Sequence, residues 1–250
     1  MFEQIGCVRA VDIIQKDLCL KNEVDLIDQS LVVMVTGAAG FVGRNLCQYI
    51  LEKTNWSIVG VDNFLNDTKS NLDEFYTYLN NKRISGPLLS TRFKFFMQDI
   101  TNTEEINNLM LATGPRFIFH QAAIGSVKRS MTDPLPYYAN NAWGTMSIIL
   151  AANMNKTTVS RVIVASSSSV YGKCLESYGP IKENRKLSPQ SPYAYSKSIS
   201  EILHASQSDE DSKIIFLRYF NVFGRYQKTI GPYATVIPKF CKLILEGKPI

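Results

Sequence analysis

The residues best suited to chemistry are a tyrosine and a lysine four positions apart. Ser191 and Pro192 form a helix-start signal, a capping hydroxyl followed by proline, so Tyr193 and Lys197 should share one face of a helix. An unperturbed phenol titrates near ~10, and a nearby ammonium lowers that pKa by favouring the phenolate. The pair therefore predicts a proton acceptor for an alcohol, although the same spacing also arises by chance on exposed helices.

A second tyrosine, Tyr195, competes for the same role. The residue four positions after it is the apolar Ile199 rather than a lysine. Nothing in the local sequence would lower the pKa of Tyr195, so we assign the base to Tyr193.

A serine run, Ser166 to Ser169, could provide the hydroxyl that such a base needs beside it. The run follows the apolar segment 161–165, which predicts a buried strand. Open α/β sheets bind ligands beyond the carboxyl ends of their strands, so a serine there can bond both a substrate alcohol and the tyrosine oxygen. The alternative is an ordinary polar loop, because serine-rich loops are common.

A glycine-rich segment predicts a dinucleotide site. Gly37, Gly40 and Gly43 follow the apolar strand 31–35 and precede a helix, which suits a tight turn, close approach to a pyrophosphate and close helix packing. An ordinary glycine-rich turn is the alternative. Asp62 ends the next strand, near the spacing of an acid that binds the ribose hydroxyls, and it would repel a 2′-phosphate. NAD is therefore favoured over NADP.

Other residues after the strands could complete the cofactor site. Asp99 could meet the adenine amine, or it could be a turn or cap residue. We interpret His120 as a packed, hydrogen-bonded histidine, while the small Ala122 and Ala123 leave room for the cofactor.

The elements that position these residues alternate along the chain. Strands are predicted at 31–35, 57–61, 93–96, 117–119, 161–165 and 214–217, with helices after the glycine turn, around 71–75, at 141–152 and at 193–205. Such β–α units predict an α/β fold with a doubly wound parallel sheet of the Rossmann type. We divide the chain into an N-terminal extension (1–30), an NAD-binding domain (31–224) and the start of a substrate lobe (225–250).

Composition narrows the function classes. The 250 residues are 45% hydrophobic and 20% charged, as in a soluble globular protein, with no apolar run long enough for a membrane span and no signal peptide pattern. Five cysteines without CxxC spacing and two histidines indicate neither a disulfide framework nor a metal site. The net charge of +5 is dispersed and accompanies no nucleic-acid motif. A cytoplasmic protein that binds anionic small molecules fits best.

Taken in order, the motifs resemble the extended short-chain dehydrogenase/reductase family, the NAD-dependent nucleotide-sugar epimerases and dehydratases. They are TGAAGFVG, VDNF, QDI, HQAA, NNAWGT, SSSSVYG, SPYAYSK and LRYFNVFG. The segments 120–130 and 231–240 look most like bacterial UDP-N-acetylglucosamine 4-epimerases and their uronate relatives. The resemblance implies NAD-dependent 4-epimerisation of a UDP-N-acetylhexosamine or its uronate, through a 4-keto intermediate, for surface polysaccharide synthesis. It also implies a homodimer.

The resemblance assigns roles residue by residue. Tyr193 would be the base, Lys197 its partner on the nicotinamide ribose and Ser167 the catalytic hydroxyl. The cofactor-binding residues would include Gly37, Gly40, Phe41, Val42, Gly43, Asp62, Asn63, Asp99, Ile100, Ala122 and Ala123. The substrate-binding residues would include Gly125, Ser126, Ser167, Ser168, Tyr193, Asn221 at the diphosphate and Val236 at the uracil.

Departures from the family pattern keep alternatives open. The related dehydratases carry an Asp-Glu pair where this chain has Ser168 and Ser169, which argues against dehydration. Lys128 stands where close relatives usually have proline. Family members also continue beyond the position of Ile250, so we expect an incomplete substrate lobe whose last helix has an uncovered apolar face. The alternatives are a 4-epimerase of UDP-glucuronate or UDP-glucose, and an inactive NAD-binding remnant.

Overall fold

The computed structural model describes residues 31–82, 89–173, 180–205, 213–229 and 236–249. The N-terminal extension and residues 231–235, the first half of the segment 231–240, lie outside these residues. The strands are β1 (Val32–Thr36), β2 (Ser57–Asp62), β3 (Phe93–Met97), β4 (Phe117–His120), β5 (Arg161–Ser167) and β6 (Ile214–Tyr219). The helices are α1 (Phe41–Lys53), α2 (Lys69–Asn80), α3 (Thr103–Thr113), α4 (Val127–Thr132), α5 (Leu135–Tyr137), α6 (Gly144–Met154), α7 (Pro192–Ala205) and α8 (Val236–Leu245).

The six strands form one parallel sheet in the order β3-β2-β1-β4-β5-β6, which confirms the predicted fold class. Met34 at the centre of β1 pairs with Val59 of β2 on one side and with Ile118 of β4 on the other. The order reverses between β1 and β4. The loops after these two strands therefore diverge and open a crevice at the carboxyl ends of the strands.

Apolar layers cover both faces of the sheet, because the central strands are apolar at nearly every position. One layer combines Trp56, Phe75 and Phe117 with apolar residues of α1 and α2. The other combines Met34 and Ile118 with apolar residues of α3 and α6. This double burial holds the ends of the strands, and hence the site, in fixed positions.

The helix predicted at 141–152 begins earlier than expected. Pro134 precedes α5, and the chain continues through a π-helix at Tyr138–Trp143 into α6. Helix α3 was not predicted, although its signals are clear. The Asn102 side chain accepts a hydrogen bond from Glu105 N, and Gly114 ends the helix in the left-handed conformation.

No helix in the described ranges is both long and apolar enough to cross a membrane. The same ranges contain no cluster of three or more histidine, cysteine, aspartate or glutamate side chains arranged to hold a metal ion.

Candidate functional site

A cleft of about 290 Å³ lies at the carboxyl ends of the strands, at the point where the strand order reverses. It is lined by the glycine turn, the loops after β2, β3 and β4, part of the π-helix, and residues 226–228 after β6. The predicted cofactor residues that line it are Gly37, Gly40, Phe41, Val42, Gly43, Asp62, Asn63, Ile100, Ala122 and Ala123. The structure thus gathers residues from four predicted motifs into one cleft.

The glycine turn leaves no room for side chains. Gly37 has φ +70°, and a Cβ there would lie 2.8 Å from the backbone nitrogen of Ala122. A Cβ on Gly43 would lie 2.0 Å from the carbonyl oxygen of Gly37. Helix α1 can therefore pack directly against the turn only because both positions are glycine.

The N-terminus of α1 points into this cleft. Gly40 is the N-cap, and it brings neither a side-chain cap nor an acidic residue in the first turn. The first N–H groups of a helix have no acceptor within the helix, and together with the helix dipole they favour an anion. The turn therefore fits the pyrophosphate of a dinucleotide.

Asp62 is held at the cleft wall by the backbone. Its carboxylate accepts hydrogen bonds from Phe64 N (2.8 Å) and Ala39 N (3.1 Å). Burial raises the pKa of Asp62, the backbone bonds oppose this, and the nearby Asp67 adds to the rise. A carboxylate offers about four acceptor positions, so Asp62 can still accept from ribose hydroxyls.

Asp99 is not one of the residues lining the cleft in the described chain. Its carboxylate accepts from Thr101 N (2.8 Å), Thr101 Oγ1 (2.7 Å) and Asn63 Nδ2 (2.9 Å). Burial would raise the pKa of Asp99, but these hydrogen bonds outweigh it and the pKa is lowered. These bonds are those of a turn residue, the alternative interpretation of Asp99 given above. Through its bond with Asn63, Asp99 also positions that side chain at the cleft.

His120 is the packed histidine that the sequence indicated. Its ring nitrogens lie 2.7 Å from Thr36 Oγ1 and 3.0 Å from Thr145 Oγ1. Burial, and secondarily the charge of Lys197, lowers its pKa to about 3, so the ring is neutral near pH 7. Thr36 Oγ1 also accepts from Ala122 N (3.2 Å), which ties the cleft floor to β1.

Tyr193 and Ser167 come together at the end of β5. Helix α7 begins at Pro192, and Ala194 N donates to Ser191 Oγ (3.2 Å), as the helix-start signal predicts. The Ser167 side chain lies close enough to the Tyr193 phenol to favour its phenolate and lower its pKa, and Ser167 Oγ accepts from Ser169 Oγ (2.8 Å). Tyr195, on the same helix, is 48% exposed. The less exposed of the two tyrosines is therefore the one beside a hydroxyl.

Lys197 is buried, but it does not lower the pKa of Tyr193 as expected. Its ammonium donates to Ala165 O (2.8 Å). Burial lowers the pKa of Lys197 to about 8, although the negative charge of Glu201 acts to raise it. Burial raises the pKa of Tyr193, and the nearby Ser167 side chain offsets this only partly. Desolvation of the phenolate outweighs any attraction to the Lys197 ammonium alone in this arrangement.

A buried ion pair anchors the helix that carries Tyr193. Arg218 on β6 donates to Glu201 of α7 through Nε (3.0 Å) and Nη2 (2.7 Å), and to the Tyr171 hydroxyl (2.9 Å). Glu201 also accepts from Ser166 Oγ. Sequence reasoning missed this network, although Lys197 and Glu201 have the spacing of an i, i+4 pair.

Tyr137 and Asn141, also missed, connect the α7 helix to the loop after β4. The buried Tyr137 donates its hydroxyl to Gly125 O (2.6 Å), and its ring packs edge-on against Tyr193 at 6.2 Å. Asn141 bonds both backbone groups of Ile124, at 2.7 and 2.9 Å. Their positions depend on the π-helix, for which the sequence carries no separate signal.

The predicted substrate residues are less closely gathered. Gly125 lines the cleft. Ser126 has φ +79°, and its hydroxyl accepts from Arg129 N (3.2 Å) at the start of α4. Ser168 begins a short 3-10 helix, while Asn221 is exposed and Val236 is 57% exposed. Of the predicted substrate residues within the described ranges, Gly125 alone is among those that line the cofactor cleft.

Comparison with solved structures finds the same fold. A UDP-N-acetylglucosamine 4-epimerase from Methanobrevibacter ruminantium M1, in complex with UDP-N-acetylmuramic acid, is 30% identical with a TM-score of 0.71. A UDP-glucuronic acid 4-epimerase from Bacillus cereus, in complex with UDP-glucuronic acid and NAD, is 32% identical with a TM-score of 0.70. Each alignment covers 88% of this chain and 64% of the other.

Curated relatives and a family profile agree with the structures. UDP-glucose 4-epimerase 3 of Oryza sativa subsp. japonica is 32% identical over 197 residues, which cover 78% of this chain and 50% of that protein. UDP-glucuronate 4-epimerase of Thermodesulfobacterium geofontis is 32% identical over 219 residues, 87% of this chain and 62% of that protein. The chain thus spans between half and two thirds of these relatives. The profile described as "NAD dependent epimerase/dehydratase family" matches residues 33–250, and the chain belongs to that family.

Proposed function

We propose that the protein is an NAD-dependent 4-epimerase of a UDP-sugar. The observation that carries the proposal is the placement of Ser167 beside Tyr193 at the carboxyl end of the sheet that also forms the dinucleotide cleft. A phenol and a hydroxyl in this place suit abstraction of a proton from a sugar alcohol. Relatives named as UDP-glucose, UDP-glucuronate and UDP-N-acetylglucosamine 4-epimerases support the reaction class.

The residues divide the work of the reaction. Tyr193 accepts the proton of the sugar 4-hydroxyl, and Ser167 orients that hydroxyl toward the phenol. NAD, held by the glycine turn and Asp62, would supply the hydride acceptor and donor that inversion at the sugar C4 requires. Since burial raises the pKa of Tyr193, the phenolate needs positive charge close to it. The Lys197 ammonium and the positive nicotinamide are the groups that would provide this charge.

The cleft favours NAD over NADP in this proposal. Asp62 lies at the cleft wall, where it can bind ribose hydroxyls and would repel a 2′-phosphate. The fit of the glycine turn to a pyrophosphate supports dinucleotide binding independently of Asp62.

For the substrate we favour a UDP-N-acetylhexosamine or its uronate, on the similarity of segments 120–130 and 231–240. UDP-glucuronate and UDP-glucose are the second candidates, supported by relatives at 32% identity that are named for them. We further propose that the protein acts in the cytoplasm as a homodimer and supplies sugars for surface polysaccharides.

The test is direct product analysis. The 250-residue chain, and a chimera that adds the C-terminal lobe of the M. ruminantium enzyme, are incubated with NAD and each UDP-sugar in turn. Chromatography should show interconversion of 4-epimers by the chimera. A folded chimera that binds NAD and UDP-sugar but converts none of the three substrate classes would contradict the proposal.

A further inference from the structure

One wall of the cofactor cleft comes from the segment after β6. Residues 226–228 line the cleft together with the glycine turn. Tyr226 has φ +66°, which is uncommon for a residue other than glycine. Its ring packs against two guanidinium groups, those of Arg44 at 4.4 Å and Arg225 at 5.0 Å from the ring centroid. These contacts hold the Tyr226 ring, and with it this unusual backbone conformation, in place.

Hydrogen bonds attach the same segment to α1. Asn45 Nδ2 donates to Arg225 O (2.6 Å), and the Tyr226 hydroxyl donates to Gln48 Oε1 (3.0 Å). Because these bonds fix the backbone next to Lys228, the position of the lysine side chain at the cleft is set by the fold.

Lys228 connects the segment after β6 to the loop after β2. Its ammonium donates to Asn66 O (2.6 Å) and lies 3.4 Å from Asp67 Oδ1. The lysine side chain is 43% exposed and that of Asp67 is 17% exposed. Of the cleft-lining residues in the described part of the chain, Lys228 alone carries a positive charge.

Asp67 stands beside the predicted phosphate site. A Cβ built on Gly40, the N-cap of α1, would lie 3.2 Å from Asp67 Oδ2. A pyrophosphate at this helix terminus would therefore be close to a carboxylate. Like charges at such a distance repel unless a cation neutralises one of them.

We propose that Lys228 is a cofactor-binding residue whose ammonium neutralises Asp67 and draws the NAD pyrophosphate to the N-terminus of α1. The inference rests on the proposed function for the identity of the cofactor. The recognised chemistry is a diphosphate, and the other possible source of phosphate is the 2′-phosphate of NADP.

Calorimetric titration of the 250-residue chain with NAD, ADP, adenosine and NADP tests the inference. Lys228→Gln should weaken the binding of NAD and ADP about three- to tenfold at low salt. The affinity for adenosine should stay unchanged, since adenosine carries no phosphate. The effect should shrink at high salt. The matched control, Lys239→Gln, removes an exposed lysine of α8 and should change none of the affinities.

Two further variants separate charge from folding. Lys228→Arg should keep the wild-type affinity for NAD, and Asp67→Asn in the Lys228→Gln background should restore most of what was lost. The inference is overturned if Lys228→Gln binds NAD as tightly as Lys239→Gln does, or if its affinity for adenosine falls by the same factor as its affinity for NAD. It is also overturned if only the affinity for NADP falls.

The same titrations distinguish this inference from the proposed function. A wild-type chain that binds neither NAD nor ADP would overturn the cofactor assignment and the inference with it. NAD binding that depends on Lys228, in a protein without epimerase activity, would support the inference and contradict only the proposed reaction.

Discussion

The cofactor cleft and the region around α8 differ in how far the described chain covers its own apolar surface. Side chains around the cleft rest on a core in which residues such as Phe117 and Phe119 are fully buried. On α8, by contrast, Val236, Phe240 and Ile244 are 57%, 42% and 60% exposed. The residues of the cofactor cleft are therefore held by the sheet and its buried core, whereas the apolar surface of α8, which we expect to meet the sugar nucleotide, is largely uncovered in the described chain.

The largest expected effect concerns the base. In a protein that epimerises, such as the chimera, Tyr193→Phe should lower turnover about 10²- to 10⁴-fold, because it removes the proton acceptor and leaves the ring in place. NAD affinity should persist. Tyr195→Phe, at the exposed tyrosine, is the control and should change turnover little. Equal losses in both variants would show that the wrong tyrosine was chosen.

Two phenylalanines test the contrast between the core and α8. Phe119→Ala should lower the free energy of unfolding by about 3–5 kcal/mol, since the ring is fully buried in the central sheet. Phe240→Ala should cost less than about 1 kcal/mol, because 42% of that residue is exposed. Urea unfolding of both variants gives the comparison. Similar costs would mean that α8 is covered in solution.

The glycine turn should respond to a single methyl group. Gly43→Ala should cost about 3 kcal/mol and abolish NAD binding, because its Cβ would lie 2.0 Å from Gly37 O. Gly114→Ala is the matched control. Its φ of +57° adds strain, but the nearest atom is 3.7 Å away, so about 1 kcal/mol is expected. If thermal melts show the same loss of stability in both variants, close packing at Gly43 is not what stabilises the turn.

The buried lysine predicts a smaller, pH-dependent effect. Burial lowers the Lys197 pKa from 10.5 to about 8, so between these values the unfolded chain holds a proton that the folded chain has released. The free energy of unfolding should therefore rise with pH across this window, by about 1.5 kcal/mol between about pH 8 and pH 9.5. Lys197→Met should remove this rise, and Lys239→Met should retain it. A rise that survives Lys197→Met would contradict the assignment.

The features readable from the sequence are those fixed by local pattern. Apolar runs identified all six strands, and Ser191-Pro192 identified the start of α7. The glycine turn could be predicted because the absence of a Cβ is a property of the residue itself and does not depend on distant contacts. The π-helix, the Arg218–Glu201 pair and the raised pKa of Tyr193 could not be predicted, since each depends on burial and on contacts between distant elements.

The most direct test of the account is the choice of dinucleotide by the 250-residue chain. Calorimetric titration with NAD and with NADP needs no substrate and no assumption about the sugar. We expect saturable binding of one NAD per chain with clear preference over NADP, and a reduced preference in Asp62→Asn, which keeps the shape of the side chain but removes its charge. Equal affinity for the two dinucleotides, a preference for NADP, or no binding would contradict it.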